Sequence, residues 1–248
     1  MLKKYAAILI GLVILHLPFS ASAQDTLTVA VAANFINAFE DISTLFEKET
    51  GIKVEATYMS TGKLYAQILK GAPYDLFLAA DEKRPNLLFK NALCEEPFVY
   101  ARGQIVLWSK NTAYCDAADW KQMAAGDEIS TIAIANTEAA PYGTAAMIAL
   151  QKAGLWEQLQ DKFVFPQNIA QVFQYASTGS TDAGFCAYSS ALSDQGKAGC
   201  YLPVEEAPDV IQAACILKQT QHPQAVKKLA EFLLSKEAQA VKVQYGYR

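Results

Sequence analysis

Residues 27–33 form a run of β-branched, aliphatic and small side chains, and at Phe35 the period of the apolar positions changes. Phe35, Phe39, Ile42 and Phe46 then recur at intervals of four, three and four, which is one buried stripe on a helix. This pattern predicts a strand, then a helix running to about residue 49 with Asn34 at its N-cap and Gly51 closing it. The grammar repeats: residues 53–58 alternate as a second strand, a helix covers 62–69, and residues 75–79 are a third, more buried strand, with Asp81 capping the next element. Strands alternating with helices predict a parallel sheet covered on both faces.

A strand at 104–108 is followed by a polar segment with weak signals, and from residue 131 the same grammar resumes. It predicts a strand at 131–135, helices at 142–153 and 169–175, and strands at 183–187 and 210–217. Pro223 opens a helical region through 244, with Val226, Leu229, Ala230 and Leu233 on one face. The chain therefore reads as α/β with two similar units: 24–101 with 206–248 as one lobe, and 102–205 as the other. A pair of crossing strands would join them and leave a cleft at the hinge.

The first residues change the picture by fixing a compartment. Lys3 and Lys4 precede an uncharged stretch over 6–19, and Ala21-Ser22-Ala23 has the small-x-small pattern of a secretory signal cleaved after about Ala23. The apolar run is short for a bilayer span. An exported, periplasmic protein of roughly 225 residues is expected. Losing the two signal lysines leaves 19 Lys and Arg against 25 Asp and Glu, net −6, which disfavours nucleic acid as a partner. Five cysteines remain, Cys94, Cys115, Cys186, Cys200 and Cys215. Their odd number requires an unpaired thiol and their spacing matches no metal motif, while Cys186 and Cys215 sit in apolar strand-like runs that predict burial. The connectivity stays open.

Candidate chemistry concentrates where strands give way to helices. Ala33-Asn34, Ser60-Thr61-Gly62, Tyr142-Gly143-Thr144 and Asn168-Ile169 each open a predicted helix. Convergent helix N-termini present unpaired N–H groups and partial positive charge, so together they can hold an anion with neutral donors. Hydrogen bonds to charged groups stabilise by about 1.5–3 kcal/mol each, so six or seven such donors could supply roughly 10–20 kcal/mol before the costs of association. Nanomolar affinity, at about 12 kcal/mol, is on that scale without a cation. Lys63 on a helix's first turn reads as solvated. Enzymatic readings fit less well. Only His222 remains after signal removal, and a serine hydrolase acting through Ser60 or Ser189 would have to use it. Arg84, Arg102 and Arg248 are the only arginines, which leaves few guanidinium clamps for a carboxylate ligand.

With Ala32-Ala33-Asn34-Phe35, the run from Ser60 to Ile68, the run Gly71-Ala72-Pro73-Tyr74-Asp75 continuing to Asp81, and Ala140-Pro141-Tyr142-Gly143, the sequence resembles the periplasmic molybdate- and tungstate-binding proteins of ABC importers. The resemblance runs from Thr28 to Gly246. It implies a two-lobed periplasmic binding fold, type II-like, with each lobe a mainly parallel sheet flanked by helices. It also implies a monomeric receptor, not an enzyme, that needs no cofactor, closes over molybdate or tungstate and hands it to a membrane permease. Carried over by residue, the implied ligands are Asn34 with the Ala33 backbone, the Thr61 hydroxyl, and Tyr142 and Ile169 through backbone N–H, with Ser60 and Gly143 beside them. Many members place a Tyr hydroxyl after the fourth helix; an ungapped match puts Ala187 there and Tyr188 one place on, which turns that side chain to the other face. A sulfate or thiosulfate receptor is the alternative within the same class.

Overall fold

The structure is a computed structural model that describes residues 26–248; the predicted signal segment, residues 1–23, lies outside the described residues. Two five-stranded sheets organise the chain. The first contains β1 (Thr26–Ala32), β2 (Lys53–Met59), β3 (Leu76–Leu78), β4 (Phe98–Gly103) and, after the whole second lobe, β10 (Val210–Ile216), in the order β2-β1-β3-β10-β4. The second is β7-β6-β8-β5-β9, built from β5 (Ile105–Ser109), β6 (Ile132–Ala133), β7 (Phe163–Val164), β8 (Ala183–Ala187) and β9 (Cys200–Pro203). A single residue, Gln104, carries the chain out of the first sheet, and the loop between Pro203 and Val210 brings it back.

The parallel expectation holds for β1 with β2 and β3, and for β6 with β7 and β8. The strands that cross between lobes do not follow it. β10 runs antiparallel to β3 and β4, and β5 antiparallel to β8 and β9, so both sheets are mixed. A strand that leaves one sheet to enter the next has no crossover helix to reverse its direction, which is why the hinge strands break the βαβ rule.

The expected stripe builds α1 (Ile36–Thr50): Phe35, Phe39, Ile42 and Phe46 are fully buried. Gly51 ends the helix at φ 73°, a left-handed cap that a side chain would strain. Helices α2 (Thr61–Leu69), α5 (Pro141–Lys152) and α6 (Ile169–Thr178) lie close to their predicted ranges, while Asp81 stands one residue before Glu82, the N-cap of α3 (Lys83–Lys90), and accepts the Arg84 N–H at 2.8 Å. The predicted strand at 131–135 shrinks to two residues. A short α4 (Trp120–Ala125) and α7 (Tyr188–Ala191), like β4 and β9, carry no clear sequence signal. The single predicted helical region after Pro223 is two helices, α8 (Pro223–Phe232) and α9 (Lys236–Gln244), separated where the Ser235 hydroxyl accepts the Ala238 N–H.

Of the cysteines, Cys115 and Cys200 form a disulfide within the second lobe, and Cys94, Cys186 and Cys215 are buried thiols. No described helix is long and apolar enough to cross a membrane.

One buried cation ties α9 to the first sheet. Lys242 is 3% exposed, and its ammonium donates to the carbonyls of Tyr100 (2.7 Å) and Leu233 (3.0 Å). Burial holds its pKa below the ordinary lysine value. Between that lowered value and about 10.4 the unfolded chain binds more protons than the folded one, so this group makes stability rise with pH there. Lys242→Met is therefore expected to destabilise the protein by about 1–3 kcal/mol at neutral pH by removing the donor from two carbonyls. The loss should grow as the pH is raised from neutral to just below the unfolded lysine's pKa. Denaturant midpoints of both proteins at the two pH values check this, and a loss that shrinks with pH would refute it.

Candidate functional site

Four chain turns meet between the two sheets around a small cavity. They are the β1 exit with a 3₁₀ turn over Ala33–Phe35, and the N-termini of α2, α5 and α6. The cavity offers about 10 Å3 to the centre of a water molecule, the scale of one small group and not of a sugar or peptide. Its lining includes Ala33, Asn34, Ser60, Thr61, Tyr142 and Ile169, with Ala32, Ala80, Ala140, Pro141 and Asn168 completing it. None of these side chains is charged, so only neutral groups and helix ends face the space.

Local sequence explains which donors are left unpaired at these turns. Pro141 occupies the first turn of α5 and has no N–H, so Tyr142 supplies that helix's first available donor. Asn168 caps α6 by accepting the Gln171 N–H at 3.0 Å, and the N–H of Ile169 is left without an intrahelical acceptor. Ser60 is the N-cap residue of α2, yet its hydroxyl makes no cap bond. It is 3% exposed and has no partner, one of two such buried side-chain atoms among the described residues. An unpartnered buried hydroxyl is costly, and here it lines the cavity. The neighbouring Thr61 hydroxyl accepts the Ala80 N–H at 3.0 Å, which leaves its own proton free to donate.

Asn34 departs from its expected role as a helix cap. It lies inside the 3₁₀ turn and makes no capping bond. Its side-chain Nδ2 approaches Gln212 Oε1 (2.7 Å), Tyr247 Oη (3.2 Å) and Tyr142 Oη (3.4 Å), and its carbonyl accepts from Tyr247 Oη (2.6 Å) and Ser189 Oγ (3.0 Å). Asn34 is thus the hub of a buried polar network behind the cavity wall. Burial pushes the Tyr100 and Tyr142 hydroxyls well above the ordinary tyrosine range and Tyr247 up to about 12. All three stay neutral, so these hydroxyls add no negative charge behind the cavity.

Two of the candidate residues stand elsewhere. Gly143 does not line the cavity; a Cβ there would lie 2.0 Å from the Ala135 carbonyl oxygen, so its glycine lets α5 pack against the end of β6. Tyr188 opens α7 instead of continuing the strand, and its hydroxyl lies 3.3 Å from that of Tyr201 beside a different, hinge-side pocket. At the rim the lobes touch directly: the Gly62 N–H donates to the Ala139 carbonyl and Arg84, paired with Asp81, donates to the Glu138 carbonyl, both at 2.8 Å. Ala140, Pro141, Asn168 and Ala80 also reach the cavity, and sequence reasoning does not single them out as ligands. Alanines and prolines carry no chemical signal of their own.

Residues 27–248 match the family described as bacterial extracellular solute-binding protein. The chain belongs to that family. Among its relatives, the molybdate-binding protein ModA of Azotobacter vinelandii is 38% identical over 232 residues, covering 92% of this chain and 91% of the relative. The molybdate-binding protein ModA of Rhodobacter capsulatus is 34% identical over 236 residues, covering 94% and 92%. The solved structure of the Azotobacter vinelandii periplasmic molybdate-binding protein superposes with a TM-score of 0.82 at 31% identity, covering 90% of this chain and 98% of that one. The cavity of this family member lies between two sheets flanked by helices.

Proposed function

We propose that this protein is an exported receptor that binds molybdate, and also tungstate, between its lobes and delivers it to an ABC permease. The observation that carries the reading is the small interlobe cavity walled by neutral donors, with the unpartnered Ser60 hydroxyl among them. The identity with molybdate-binding relatives supports it. The ligand contacts are assigned to Ala33, Asn34, Ser60, Thr61, Tyr142 and Ile169, with Asn34 acting chiefly through its backbone and its placement of the turn. The protein acts in the periplasm as a monomer, with one lobe built on each sheet and the hinge at Gln104 and in the loop between Pro203 and Val210.

The donor inventory favours a fully ionised oxyanion. The lining holds no carboxylate to accept a proton from the anion, so monoprotonated phosphate would bury an unmatched O–H. It holds no histidine, aspartate or glutamate to activate Ser60, and Ser189 is engaged with Asn34 and Tyr247, so a serine hydrolase gains no support. Calorimetry of the mature protein with molybdate, tungstate, sulfate, thiosulfate and phosphate decides the reading. Tight binding of the first two is expected; sulfate or thiosulfate binding without them would move the assignment to the neighbouring class.

A sharper result concerns Ser60. No protein group bonds its hydroxyl, so Ser60→Ala should weaken molybdate binding by about 1.5–3 kcal/mol and leave the melting temperature of the ligand-free protein unchanged or higher. A fall in that temperature with unchanged affinity would assign the hydroxyl a structural role instead.

A further inference from the structure

Tyr142 stands in two places at once. Its backbone opens α5 at the cavity, whereas its buried ring runs across to the first sheet. There its hydroxyl lies 3.3 Å from Gln212 Nε2 and 3.4 Å from Asn34 Nδ2. Gln212 is fully buried on β10, at the point where the pairing of β10 with β4 slips register. Such an irregularity re-aims a side chain that a regular strand would hold elsewhere. Oε1 of the same amide lies 3.1 Å from the Tyr100 hydroxyl that donates to it, so Gln212 is anchored from the side of its own sheet.

The seat for the tyrosine is a glycine. A Cβ on Gly103 would lie 1.9 Å from the Tyr142 hydroxyl oxygen and 2.9 Å from Gln212 Nε2. Gly103 is the last residue of β4, immediately before Gln104 carries the chain into the second sheet. A residue of α5 is therefore gripped at the strand end where the lobes part. A second crossing contact lies beside it, where Ser189 of α7 donates to the Asn34 carbonyl at 3.0 Å and stands 3.0 Å from Tyr247 Oη.

We propose that the Tyr142 hydroxyl, seated on Gly103 and held by Gln212, is a positioning group that couples anion seating to lobe closure. This rests on the molybdate reading above. The residue whose N–H faces the anion is fixed from its far end by the opposite lobe, so the closed lobes and the correctly placed donor form together. A ligand that binds only the closed arrangement gains affinity from whatever populates it. Losing the latch should act mainly on the lifetime of the complex.

The experiment is a double-mutant cycle with Tyr142→Phe and Gly103→Ala, read by molybdate association and dissociation rates, thermal melting and small-angle scattering of the ligand-free proteins. Tyr142→Phe is expected to bind molybdate about tenfold more weakly, with the change in dissociation and a larger radius of gyration without ligand. Gly103→Ala keeps every hydrogen-bonding group and displaces the hydroxyl, so it should act in the same direction. In the phenylalanine background its effect on dissociation should shrink. Ser189→Ala, outside the cavity, supplies a milder third variant should either of the others fail to fold, and it too should speed dissociation. A dissociation rate for Tyr142→Phe within about twofold of the wild type overturns the proposal, as do strictly additive effects. If the wild type binds no molybdate while Tyr142→Phe still expands the ligand-free protein, the ligand assignment falls and the latch stands.

Discussion

Asn34→Ala is expected to weaken molybdate binding ten- to a hundredfold, about 1.5–3 kcal/mol, and to destabilise the ligand-free protein by about 2–4 kcal/mol. Both losses have one origin. The amide of Asn34 sits among Gln212, Tyr142 and Tyr247, and its removal leaves the buried Gln212 carbonyl oxygen with only the Tyr100 hydroxyl as a donor. The same side chain holds the Ala33–Phe35 turn that presents backbone to the cavity. Lys63→Ala offers the contrast, because Lys63 is exposed on the first turn of α2. A screened surface charge should change affinity by about twofold at most. Titrations of the two variants at low and moderate salt separate the mechanisms, and equal losses would mean that charge, not directed donors, holds the ligand.

Removing the disulfide is the other large effect. Cys115 and Cys200 are 85 residues apart in sequence, and closing a loop of that length restricts the unfolded chain by about 4–5 kcal/mol on the chain-entropy estimate. The bridge pins the 3₁₀ segment Thr112–Asp116 to the start of β9, the edge strand of the second sheet. Cys115→Ser with Cys200→Ser should lower stability by about 2–5 kcal/mol. Neither cysteine lines the cavity, so molybdate affinity should stay within about threefold, since sites without shared partners act independently. Chemical unfolding with and without reductant measures the first part. A stability change below about 1 kcal/mol would show that β9 holds its edge without the bridge.

Particular residues show how much of the molecule is legible in its sequence. The stripe Phe35–Phe39–Ile42–Phe46 and the buried strand at Leu76–Leu78 can be read because burial leaves a periodic mark. So can the helix starts at Pro141 and Asn168, where proline and cap chemistry act within a few residues. β4 and β9 cannot, since as hinge and edge strands their partners come from sequence-distant segments. Asn34 stands out as a site residue, but its neighbours in sequence point to a helix cap. Its actual partners stand 108, 178 and 213 residues away, and a lone glutamine in a strand or a tyrosine near the chain's end gives no local hint of that meeting. The cysteine pairing is equally non-local. Spacing permits many bridges, and only the fold brings Cys115 to Cys200 while sealing the other three thiols in apolar surroundings.

The residues after α9 have a separate consequence. Arg248 exchanges both backbone hydrogen bonds with Arg102, at 2.8 and 3.0 Å, along the outer side of β4. That side would otherwise be a bare row of peptide groups, the template on which strands of different molecules add to one another. Deleting Arg248 would thus uncover an adhesive edge and favour self-association at high concentration.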